Sequence, residues 1–80
     1  MGNMTWTDGG DRLVGEGSFA DFATALAWVN RVGALAEERD HHPDILLHGY
    51  RHVRLTLSTH TTGGITAADH ALAAAIDALE

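Results

Sequence analysis

Cysteine and lysine are both absent from this 80-residue chain, and proline occurs once. Without cysteine there are no disulfides, no thiolate zinc sites and no cysteine nucleophile. The lack also suits a reducing compartment, so a cytoplasmic address is the expectation. No apolar run approaches the ~20 residues that cross a bilayer, and the first residues show no basic-then-apolar signal pattern. The formal net charge is −6 with the histidines neutral. An acidic surface repels phosphate backbones, which argues against direct contact with nucleic acid.

The length suits a single domain over residues 1–80. A chain this short buries only about 60–65% of its unfolded surface, so an isolated core is marginal. With disulfides excluded, oligomerisation is the expected remedy. Against these shortages stand six histidines, and their positions carry the functional argument.

The order of elements reads as ββαββα. Asp8-Gly9-Gly10 punctuates two short strands as a hairpin turn. Ser18, with Asp21 three residues on, resembles a capping box and places a helix start there. Phe19, Phe22, Leu26, Val29, Gly33 and Ala36 trace one face of that helix, with Phe19, Phe22 and Trp28 expected to pack. Glu37-Glu38-Arg39 end it, and Pro43 prevents continuation. Alternation then replaces helical spacing. Ile45 and Leu47, then Val53, Leu55 and Leu57, mark the inner faces of a second hairpin from Asp44 to Thr59, turning at Gly49-Tyr50-Arg51. After a Gly63-Gly64 loop, Thr66 and Asp69 form a capping box for a last helix, with Ile65, Ala68, Leu72, Ala75, Ile76 and Leu79 as its buried stripe. The expected architecture is α+β: a four-stranded antiparallel sheet with two helices on one face.

Two junctions concentrate reactive side chains. Glu37-Glu38-Arg39-Asp40-His41-His42-Pro43 leaves the long helix, and Ser58-Thr59-His60-Thr61-Thr62-Gly63-Gly64 leaves the second hairpin. Glu37 precedes His41 by four residues, a helical neighbour spacing in which a carboxylate favours the imidazolium. His60 arrives from another element, so two imidazoles can face a ligand from two sides, as general acid–base work requires. Paired histidines before a proline equally suit a helix C-terminus, and Asp69 is explained by capping alone. Three imidazoles with Glu37 would also suit zinc, although adjacent His41 and His42 tend to diverge. On the residues alone, an acid–base site and a metal site stay nearly level. His48, His52 and His70 read as surface or strand-face residues.

Taken together, the two segments resemble the pterin-4a-carbinolamine dehydratase family. Its pattern is met by Glu37, His41-His42-Pro43, Tyr50, His60 and Asp69, with the Gly63-Gly64-Ile65-Thr66 loop and Phe22 in agreement. The resemblance implies the ββαββα fold without the extra N-terminal helix of larger members. It implies dimers joined through their sheets, often paired into tetramers. It also implies a reaction, the dehydration of 4a-hydroxytetrahydrobiopterin to quinonoid dihydrobiopterin, with neither metal nor organic cofactor. By the same resemblance His41 and His60 transfer protons, and His42 binds and orients the pterin. Glu37 tunes His41, while Pro43, Thr59, Thr61 and Thr62 line the pocket and Asp69 supports it. Thr61 and Thr62 depart from the acidic and small residues common at those positions, which changes the pocket's polarity. Relatives of this fold also act as a dimerisation cofactor or as assembly chaperones, which is the alternative reading.

Overall fold

The computed structural model describes residues 4–58 and 64–79. The elements are β1 (Thr5–Asp8), β2 (Leu13–Ser18), α1 (Phe22–Arg39), β3 (Asp44–His48), β4 (His52–Leu57) and α2 (Ala67–Asp77). All strand pairs are antiparallel and the order across the sheet is β1-β2-β4-β3. The expected ββαββα arrangement is what the chain adopts. Among the described residues no helix is long and apolar enough to cross a membrane.

Alternation sets the two sides of the sheet. Leu13, Val53, Leu55 and Leu57 are buried and form one cluster with Ala25, Trp28 and Val32 of α1 and Leu72, Ala73 and Ile76 of α2. Both helices therefore cover the same face. The edge strand β1 is secured by side chains. Trp6 Nε1 donates to the Asp77 carboxylate at 3.0 and 3.1 Å, and the Met4 backbone N–H donates to it at 3.3 Å. The Trp6 ring lies over Gly15, its register partner, where an added Cβ would sit 2.6 Å from the ring. In the β1–β2 turn Gly10 takes φ +93°, and its N–H donates to Asp8 Oδ1, as the Asp-Gly-Gly signal predicts.

Three expectations are corrected. Ser18 does not cap α1; it is the last residue of β2, paired with His52. Asp21 is the N-cap instead, its Oδ1 accepting from the Thr24 N–H at 2.8 Å. Two overlapping cap patterns compete here, and extension of the β2–β4 ladder decides between them. The buried stripe of α1 is Ala25, Trp28, Val32 and Ala36, while Phe22 and Leu26 are 45% and 41% exposed. Phe19 does pack, but from the segment before the helix, with its ring centre 5.0 Å from that of Trp28. Because α1 is apolar over much of its circumference, spacing alone cannot choose between stripes about 60° apart. The face bearing Ala25 and Ala36 lets the helix approach the sheet closely. In α2 the stripe includes Asp69 and Ala73, and Ala68 is exposed.

Candidate functional site

The long helix ends in a Schellman motif. Asp40 adopts the left-handed conformation (φ 51°, ψ 43°), its N–H reaching the carbonyls of Ala36 and Glu37. The His41 N–H closes the motif on the Ala36 carbonyl at 3.1 Å. Asparagine and aspartate are the side chains that tolerate this backbone best after glycine. The consequence for the site is direct: the chain turns at Asp40, so His41 leaves the helical surface on which it would neighbour Glu37.

The expected Glu37–His41 pairing is therefore not formed. Glu37 Oε2 lies 2.5 Å from Nε2 of His42, and both side chains are exposed. His41 turns instead towards α2, its Nε2 2.5 Å from Asp69 Oδ1. The His41 side chain is 20% exposed and that of Asp69 is fully buried. The other Asp69 oxygen, Oδ2, accepts from the Thr66 N–H at 2.9 Å and from the Thr66 hydroxyl at 3.4 Å. Asp69 is thus a capping residue, as expected, and at the same time the partner of the first site histidine. The first turn of α2 suits a carboxylate, because its unpaired N–H groups carry partial positive charge.

Such an aspartate–imidazole contact has a defined chemical use. With one ring nitrogen held by a carboxylate, the tautomer and ring orientation are set, and the other nitrogen is left to exchange a proton with a ligand. The adjacent His42 engages a different acid on a different side, so the two histidines diverge as adjacent residues were expected to. Pro43, half-buried, carries the chain from His42 into β3. Thr56 lies opposite Asp44, so β4 ends where Pro43 enters the sheet.

Tyr50, the aromatic of the sequence pattern, is 64% exposed in the β3–β4 turn with φ 74°. The five residues of β3, about 17 Å of strand, and Gly49 separate it from Pro43. The structure does not bring Tyr50 to the histidine pair. Thr59, His60, Thr61 and Thr62 fall outside the described residues, as does Gly63. Among the described residues no group of three or more histidine, cysteine or acidic side chains is arranged to hold a metal ion. Sequence spacing missed the His41–Asp69 contact because its partners lie 28 residues apart on different elements.

Comparison with known proteins places this geometry in context. A model of the pterin 4 alpha carbinolamine dehydratase family matches residues 2–79. A protein of Thermomicrobium roseum, provisionally named pterin-4-alpha-carbinolamine dehydratase, is 53% identical over 68 residues, which is 85% of this chain and 72% of that protein. The crystal structure of a transcriptional coactivator/pterin dehydratase from Brucella melitensis is similar with a TM-score of 0.81 at 32% identity, over 95% of this chain and 80% of that one. A pterin dehydratase-like protein identified as a RuBisCO assembly factor in the alpha-carboxysome is similar with a TM-score of 0.74 at 28% identity, over 96% and 88% of the two chains.

Proposed function

The chain belongs to the pterin-4a-carbinolamine dehydratase family, and from that premise we propose that it dehydrates 4a-hydroxytetrahydrobiopterin by histidine acid–base catalysis. The observation that carries the reading is the pairing of His41, first histidine of the His-His-Pro motif, with the fully buried Asp69. A histidine that served only to end the helix would have no need of a buried carboxylate from another element.

The reaction asks for two proton transfers. A donor protonates the hydroxyl on C4a, the C–O bond breaks and water departs. A base removes a proton from a ring nitrogen, and its electron pair forms the new C=N bond of the quinonoid dihydropterin. No electrons enter or leave the substrate, so the step draws on positioned acids and bases, each contributing about 10²–10⁴-fold in rate. We assign the two transfers to His41 and His60. Asp69 orients His41 in place of Glu37, and Glu37 instead supports His42, which binds and orients the pterin. Pro43, Thr59, Thr61 and Thr62 line the pocket. The working form is a cytoplasmic homodimer or homotetramer, which would compensate for the small core of a chain this short.

The likeness to the RuBisCO assembly factor favours a second reading, an interaction module that acts as a dimerisation cofactor or assembly chaperone without turnover. One experiment separates the two. Freshly generated 4a-hydroxytetrahydrobiopterin is mixed with wild type, His41→Ala and His60→Ala, and its dehydration is followed by stopped-flow absorbance. Strong acceleration by wild type, reduced about 10²-fold or more in each variant, is the expected result. Wild-type protein no faster than buffer overturns the dehydratase reading in favour of the interaction module.

A further inference from the structure

The face of the sheet turned away from the helices carries a second histidine pair that the dehydratase reading does not use. His48 closes β3 and His52 opens β4, and the two are register partners across the Gly49-Tyr50-Arg51 turn. Directly opposed residues of an antiparallel pair project to the same side with their Cβ atoms about 4.5–5.5 Å apart. The two ring centres are 5.7 Å apart and inclined at 37°. Both rings border an open depression of about 480 Å³ that is also lined by Thr5, Glu16, Ser18 and Arg54.

The ring of His52 is anchored on one side and given room on the other. Its Nδ1 lies 2.8 Å from the hydroxyl oxygen of Ser18, the register partner of His52 on β2. A Cβ added at Gly49, where φ is +57°, would sit 2.8 Å from His52 Cδ2, so glycine leaves the ring its space. In the tautomer that donates Nδ1–H to the Ser18 oxygen, Nε2 carries the lone pair. Metal-ligating histidines are held in this way, one ring nitrogen fixed by a hydrogen bond and the other left to the ion. His48, its register partner, is exposed.

We propose that His48 and His52 form a two-imidazole site for a divalent transition-metal ion of the zinc and nickel class, with water completing the coordination. Two imidazoles bound to one tetrahedral ion at about 2.0–2.1 Å have ring centres roughly 5 Å apart, so a small side-chain rotation closes the observed 5.7 Å. Imidazole is the ligand type that such ions prefer, whereas calcium and magnesium select oxygen. Glu16 does not complete the shell as the structure stands, because its carboxylate holds Arg54 at 2.7 Å. The site is independent of His41 and His42, which lie at the opposite end of β3.

The test is calorimetric titration of the full, tag-free chain with Zn²⁺ alone, alongside His48→Ala, His52→Ala, Ser18→Ala and His42→Ala. The expected result is one ion per chain with a dissociation constant below about 100 µM. Each of His48→Ala and His52→Ala weakens binding by about tenfold or more, and Ser18→Ala by a smaller factor, as for a residue that orients a ligand. His42→Ala leaves that affinity unchanged. Absence of binding up to about 1 mM zinc overturns the proposal, and so does affinity that survives either His48→Ala or His52→Ala. Circular dichroism of each variant establishes that the sheet is intact, so a loss of binding reports on the ligand itself.

Discussion

His41 Nε2 lies 2.5 Å from Oδ1 of Asp69, joining the exit of α1 to the first turn of α2 across 28 residues of chain. The same carboxylate caps α2 through its other oxygen. One buried group therefore serves helix stability and ring orientation together, and substitutions can separate them. Asp69→Asn keeps the shape but removes the charge that holds His41, and kcat is expected to fall about 10–100-fold. Thr66→Ala weakens the cap and leaves the His41 contact in place. It is expected to lower unfolding free energy by about 1 kcal/mol with kcat within about twofold of wild type. Urea denaturation beside steady-state kinetics measures both. Equal kinetic losses in the two variants would mean that Asp69 acts only through the helix.

Glu37 and His42 form the contrasting pair. Both are exposed, and ion pairs of that kind contribute about 0.2–1 kcal/mol. Glu37→Gln is expected to raise KM by no more than about fivefold while leaving kcat almost unchanged, because His42 is assigned to binding and not to proton transfer. A fall in kcat as large as that of Asp69→Asn would restore Glu37 to the proton-transfer machinery.

Legibility in the sequence followed the strength of competing local signals. The second hairpin was plain, since Val53, Leu55 and Leu57 alternate with polar residues and all three are buried. Thr66 and Asp69 announced α2 with a single possible cap. Ser18 and Asp21, by contrast, offered two starts for α1, and only the pairing of Ser18 with His52 on β4 settles which is used. The Glu37–His41 spacing suggested a helical pair that the left-handed turn at Asp40 abolishes, with no glycine there to signal it. Family resemblance brought Asp69 and His41 into one pattern without revealing their contact. That contact depends on how α1 and α2 pack, which no local spacing encodes.

Packing of β1 against β2 supplies a third prediction. A methyl group at residue 15 would meet three atoms of the Trp6 ring at 2.6–2.9 Å. Trp6 cannot move away without giving up its hydrogen bonds to Asp77. Gly15→Ala is expected to destabilise the chain by about 1–3 kcal/mol, the usual range for overpacking. In Gly15→Ala with Trp6→Leu, the methyl meets a smaller neighbour, so the two losses sum to more than the double variant suffers. Strict additivity in a urea-denaturation cycle would show that Trp6 is not the obstacle.

The cap of α1 gives a pH dependence whose sign is fixed. Hydrogen bonding from the Thr24 backbone N–H holds the Asp21 carboxyl below its ordinary value of 3.8. A group whose folded pKa is depressed stabilises the fold above its unfolded value, and that contribution disappears as pH falls through the folded one. The first turn of α1 contains no other acidic residue, so Asp21 alone faces that end of the helix dipole. Asparagine is also a good N-cap, which makes Asp21→Asn a replacement that keeps the hydrogen bond and deletes the charge. Wild type is expected to exceed this variant in unfolding free energy at pH 7. The gap should hold down to about pH 5 and close as the carboxyl protonates below 3.8. Taking the difference between the two proteins largely cancels the general acid response of a chain with net charge −6. Urea denaturation at a series of pH values measures it, and a gap that stays constant down to pH ~2 would assign the stability difference to something other than the Asp21 charge.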